Sequence, residues 1–132
     1  CGHAPSVEVD LSLSNLALDL IGQANMLLGA VGNADRLAFR RDVLDFRNCW
    51  LVEQPNGDFA RTMVRQLLFS TWQHLLYQRL ATGSDEQLAG IAAKAVKEVA
   101  YHRELAAEWV VRLGDGTEES ARRTADGLDW CW

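Results

Sequence analysis

The sequence predicts an all-α antiparallel helical bundle, and three observations carry that prediction. Two prolines in 132 residues, Pro5 and Pro55, leave long uninterrupted stretches of helical period. Between Leu88 and Leu113 a seam of Leu88, Ala92, Ala95, Val99, His102, Ala106, Trp109 and Leu113 recurs in alternating steps of four and three. That spacing turns one face toward near-parallel or antiparallel neighbouring helices. The single alternating run, Val7 to Ser14, has no second such run to pair with, so its strand reading is rejected.

Taken in order, the first helix begins at Ser6 as N-cap, with Glu8 and Asp10 suited to the positive helix end. It is apolar round most of its circumference, which marks it as largely buried. A polar stripe of Ser12, Asn15, Asp19 and Gly22/Gln23 interrupts it, as either its solvent face or the lining of an internal polar site. Gly29, Gly32 and Asn33 are read as its end. From Asp35 to Val52 the chain reads as one helix or two short ones. Leu37, Val43, Leu44, Phe46, Trp50 and Leu51 are its anchors, and Arg36, Arg40, Arg41 and Arg47 form a solvated face. Pro55-Asn56-Gly57 is a turn by composition, and Asp58 caps a helix from Phe59 to Ala81. That helix is apolar over more than half its surface, so two neighbours are expected to cover it. Gln66, Ser70, Gln73 and Tyr77 form a polar, uncharged line along it, with His74 beside them. Thr82-Gly83-Ser84 breaks the helix, and Ser84 is read as the cap of the seam helix. Gly114-Asp115-Gly116 stops it, and Thr117 followed by Glu118 and Glu119 opens a last helix.

Composition bounds the function. The length fits one domain with a modest core, and 48% apolar residues with five tryptophans mark a packed protein. A net charge of −5 with no basic stripe argues against nucleic acid, and no apolar run is long enough to span a membrane. Cys1, Cys49 and Cys131 form no CxxC and read as reduced thiols of a cytoplasmic protein, with Cys49 buried beside Trp50 and Leu51. Both ends read as cuts through a longer protein.

A carboxylate-bridged di-iron centre in a bundle draws a Glu from each of two helices and a Glu-x-x-His from each of two others. No Glu-x-x-His exists here: Thr71 stands three residues before His74 and Val99 three before His102. Glu98 and His102, four apart, are a titratable pair on the inner side of the seam helix, but one Glu and one His do not make a di-iron site. No nucleophile turn joins a serine or cysteine to a histidine and an acid. His102 is therefore read as a hydrogen-bonded core histidine.

Several segments together resemble the PaaC-type subunit of the ring-1,2-phenylacetyl-CoA epoxidase: CGHAP at the start, NLALDLIGQA at 15–24, FRN at 46–48, LVEQPNGDFA at 51–60, AAKAVKEVAYH at 92–102 and RLGDGTEES at 112–120. The resemblance implies a ferritin-like antiparallel bundle across residues 1–132, truncated relative to the family by a preceding helix and by following ones. It implies a non-catalytic structural subunit of a multicomponent monooxygenase in aerobic phenylacetate catabolism, without a metal or cofactor of its own. The implied partner is a sister subunit that holds the di-iron centre and epoxidises phenylacetyl-CoA. On this sequence the vestigial site falls at Asp19, Ser70, Glu98 and His102, with Ser70 where relatives carry an acid and Gly22 where a di-iron protein places a histidine.

A piece of such a bundle leaves apolar stripes bare. Exposing several hundred Å² costs on the order of 10 kcal/mol, comparable to a domain's whole stability. A homo-oligomer that covers the stripes is therefore expected. Two further readings stand beside the scaffold: a stand-alone helical oligomer, and an independent metal-binding enzyme built on Glu98, His102 and Asp19.

Overall fold

A computed structural model describes residues 2–132. Cys1, one of the three thiols considered above, lies outside the described residues. The element order is α1 (Val7–Val31), α2 (Ala34–Phe39), a 3₁₀ turn at Val43–Asp45, α3 (Trp50–Glu53), α4 (Phe59–Leu80), α5 (Glu86–Gly114) and α6 (Glu118–Cys131). Among the described residues there is no strand, so the fold class is all-α as expected.

Local chemistry sets most of the helix ends. The Ser6 hydroxyl accepts from the Val9 amide and opens α1, and the Asp58 carboxylate accepts from the Arg61 amide at 2.9 Å to open α4. Gly57, at φ +63°, supplies the left-handed turn just before that cap. Thr117 and Ser120 form a reciprocal capping box at α6. Three expectations are corrected. α1 runs on through Gly29 and ends at Gly32, because glycine within a helix costs only about 1 kcal/mol and one turn of hydrogen bonds continues past it. α5 is opened by Asp85, whose carboxylate accepts from the Leu88 amide at 2.9 Å, not by Ser84. Residues 35–52 hold two short helices and a 3₁₀ turn, and Val43, Leu44 and Trp50 are exposed rather than anchored.

The chain divides into two compact units. One comprises the chain through Arg47 together with Tyr77–Val96; the other comprises Asn48–Leu76 together with Lys97–Trp132. In the first, Val9, Leu16 and Gln23 recur every seventh residue along α1 as its buried line, and Ala92 and Ala95 of α5 are buried too. In the second, Ala60, Met63 and Val64 of α4, Val99 and Ala106 of α5, and Thr124 and Gly127 of α6 are buried. There α6 packs close on α4, since a Cβ on Gly127 would lie 3.2 Å from the Arg61 Cα. Phe59 meets Trp109 edge to face at 5.1 Å, and the Arg61 guanidinium lies 4.3 Å from the Trp130 ring centre.

Cys49 is exposed and Cys131 half-buried, both as free thiols. The expectation of a buried Cys49 fails because its apolar neighbour Trp50 is itself exposed. No helix among the described residues is long and apolar enough to cross a membrane.

Candidate functional site

The seam of α5 is apolar where it carries Ala92, Ala95, Val99 and Ala106, all fully buried, and it is interrupted once, by His102. A fully buried imidazole demands hydrogen-bonding company, because burying its polar nitrogens among hydrocarbon alone costs free energy. Polar side chains are present in the same unit. Ser70 and Gln73 of α4 are buried, Glu98 stands half-buried one turn before His102, and the Tyr101 ring approaches the imidazole edge-on at 6.4 Å. The Ser70 hydroxyl donates to the Leu67 carbonyl of its own helix at 3.3 Å, which absorbs its donor locally.

The first unit holds a polar interior of its own. Gln23, 2% exposed, accepts a hydrogen bond from the Tyr77 hydroxyl at 3.2 Å, across 54 residues of sequence. Asp19 is half-buried one turn earlier on α1, while Asn15 and Gly22 are exposed. The polar stripe on α1 is thus neither wholly a solvent face nor wholly a lining. Asn15 and Gly22 meet solvent, Ser12 and Asp19 are half-buried, and Gln23 is internal.

Of the four positions expected to mark a vestigial site, Ser70, Glu98 and His102 fall in one unit and Asp19 in the other. A di-iron centre does not fit these residues. Val99, three before His102, is a buried hydrocarbon where such a centre requires a carboxylate. Ser70 offers a neutral hydroxyl already turned to the backbone. Among the described residues no group of three or more His, Cys, Asp or Glu is placed to hold a metal ion. The buried polar side chains include an amide and a phenol, Gln23 and Tyr77, in the first unit, and a hydroxyl, an amide and an imidazole, Ser70, Gln73 and His102, in the second, each of which favours one arrangement of its helices when its hydrogen bonds are met. Gln23 and Tyr77 were each visible as polar residues on apolar helices, but no sequence signal joins them.

A chain whose described residues form helices and no strand, with buried polar side chains among the apolar ones, belongs to the class of all-α helical bundles. The chain belongs to the family described as Phenylacetic acid catabolic protein, whose profile matches residues 1–132. The ferritin-like form of an all-α bundle fits that family. The chain is similar to the C subunit of the 1,2-phenylacetyl-CoA epoxidase of Escherichia coli (strain K12). The two are 46% identical over 138 residues, covering the whole of this chain and 56% of that relative. The chain therefore spans about half the length of the curated relative it matches.

Proposed function

We propose that this chain is a structural subunit, or part of one, in a multicomponent monooxygenase that epoxidises phenylacetyl-CoA in aerobic phenylacetate catabolism, within the cytoplasm. A sister subunit supplies the di-iron centre, and this chain buttresses it as a single ferritin-like domain. Asp19, Ser70, Glu98 and His102 are then the remnants of a ligand set. One observation carries the reading: the buried imidazole of His102 has Val99 in place of the carboxylate a di-iron helix needs. The similarity to one subunit of the Escherichia coli epoxidase supports the assignment to such a complex.

The test is elemental analysis of the purified chain with and without the catalytic sister co-expressed. Iron well below one atom per chain alone, and co-purification of the sister, are expected. Two irons per chain, or binding that His102→Ala abolishes, would replace the scaffold by an independent metal enzyme.

An observation on α1 supports self-association of the isolated chain. Opposite its buried line, Val7, Leu11, Leu18 and Ile21 stand 59–74% exposed. Such a contiguous apolar stripe is uncommon on a monomer. A homo-oligomer covers it when the sister is absent, and light scattering coupled to size exclusion reads the mass. A monomer at micromolar concentration sinks this part of the reading.

A further inference from the structure

α1 carries two seams. Its buried line of Val9, Leu16 and Gln23 faces its own unit. On the opposite side a second line runs through Val7, Leu11, Ser14, Leu18, Ile21, Asn25 and Leu28. These alternate in steps of four and three, the a/d pattern by which one helix receives another. Val7, Leu11, Leu18, Ile21 and Asn25 are exposed, and Ser14 and Leu28 are half-buried. A surface helix needs one apolar stripe for its core; a second stripe left in water is the face of a helix that pairs twice.

Charge decides the direction of the pairing. Glu8 and Asp10 stand in the first turn of α1, flanking the seam. Beyond its other end, residues 33–47 hold four arginines against three aspartates. Two copies laid side by side in parallel would gather four carboxylates at one end. Turned antiparallel, each acidic end lies beside the more basic end of the other copy, and the two helix dipoles run in opposite senses.

The two polar seam residues decide the register. In an antiparallel pair each a position faces a d position of the other helix. One register matches like with like, each layer repeated by the two-fold: Leu18 with Ile21, Leu11 with Leu28, and Ser14 with Asn25. Sliding by one heptad sets Asn25 against Val7 and Ser14 against Leu18, which buries an amide and a hydroxyl against hydrocarbon. A polar residue at such a position is a known way for paired helices to hold a single register. The matched register also brings Leu11 of one copy over Leu28 of the other. Leu28 helps line an apolar groove of about 300 Å³ between α1 and α2, with Ala24, Ala38 and Phe39 among its walls, so an apolar side chain meets an apolar space.

We propose that two copies of this chain pair through α1, antiparallel, with Ser14 of each against Asn25 of the other as the layer that fixes the register. The proposal rests on the self-association reading above and adds its surface, direction and register.

Disulfide trapping of the full chain reads all three. In a background with Cys1, Cys49 and Cys131 changed to serine, Leu11→Cys, Ile21→Cys and Leu28→Cys are introduced singly, at positions that are exposed or half-buried. Differently tagged variants are mixed and oxidised, and only cysteines whose Cβ atoms stand about 3.5–4.5 Å apart close readily. The L11C–L28C heterodimer should exceed both the L11C homodimer and the L11C–I21C product by about tenfold or more, as a mismatched buried amide is enough to give. Asn25→Leu should bring the L11C–L28C and L11C–I21C products within about threefold, since both registers then carry the same number of polar mismatches. Light scattering on the same samples separates the two readings. A monomer at micromolar concentration removes self-association itself, and this pairing with it. An oligomer in which none of these cysteines cross-links leaves self-association standing and overturns pairing through α1. A dominant L11C homodimer makes the pair parallel and a dominant L11C–I21C product shifts its register; either overturns the proposal. So does selectivity unchanged in Asn25→Leu, which takes the register away from the Ser14 and Asn25 layers.

Discussion

Gly127 and Gly90 should respond to the same substitution with opposite signs. Both lie inside helices, where alanine is worth about 1 kcal/mol more than glycine if nothing else changes. Gly90 of α5 is exposed, and a Cβ built there meets nothing within 4 Å. Gly90→Ala should therefore stabilise by up to about 1 kcal/mol. Gly127 of α6 is buried, and its new Cβ would lie 3.2 Å from the Arg61 Cα, 3.5 Å from the Arg61 nitrogen and 3.5 Å from the Val64 Cγ2. The first two are backbone atoms of α4, so no rotamer change relieves the contact and the helices must part by a few tenths of an ångström. Overpacking of that kind costs about 1–3 kcal/mol, which outweighs the propensity gain. Gly127→Ala should lose about 1 kcal/mol net, a fall in Tm of roughly 2–5 °C for a chain of this size. Gly127→Leu should lose about 3 kcal/mol, at the upper end of overpacking costs. Thermal and urea unfolding followed by far-UV circular dichroism measures all three. If Gly127→Ala stabilises as Gly90→Ala does, α6 does not pack backbone-close on α4 and this account of the unit is wrong.

Two further outcomes follow from titratable groups. Hydrogen bonds from Arg123 and Arg122 hold the Glu119 carboxyl below its ordinary value of 4.5, so its contribution to α6 is present above that pH and lost as pH falls through the depressed value. The helicity difference between the native chain and Glu119→Gln should shrink on acidification; a difference constant with pH rules this out. Burial pushes the Cys131 thiol up, against the pull of Arg65 and Arg61, while Cys49 is exposed. In a Cys1→Ser background, iodoacetamide should alkylate Cys49 at least about fivefold faster than Cys131, because thiolate fraction and access set the rate. Equal rates would refute the burial of Cys131.

The helices with a regular apolar period were legible from residue order alone. α5 could be counted residue by residue because steps of four and three put one set of side chains on one face, and Ala92, Ala95, Val99, His102 and Ala106 are indeed buried. The caps at Ser6, Asp58 and Thr117 were legible because a short polar side chain there has few competitors for the first free amides. Residues 35–52 were not. Leu37, Leu44 and Leu51 stand seven apart and Val43, Phe46 and Trp50 three and four apart, a helical spacing that the chain does not hold as one helix, so the period there said nothing about burial. The polar interior was half legible. Ser70, Gln73 and Tyr77 announce a polar line on α4 by their spacing, but the bond from Tyr77 to Gln23 joins residues 54 apart and depends on tertiary placement.

The stretch from Asp42 to Trp50 contains no buried residue, and the α3 that follows has no side-chain cap. Chain that contributes nothing to a core can be lengthened or severed at little cost in folding free energy. Residues 42–50 are therefore where an affinity tag could be spliced or a protease site introduced, and Cys49 offers a native handle there for a fluorophore.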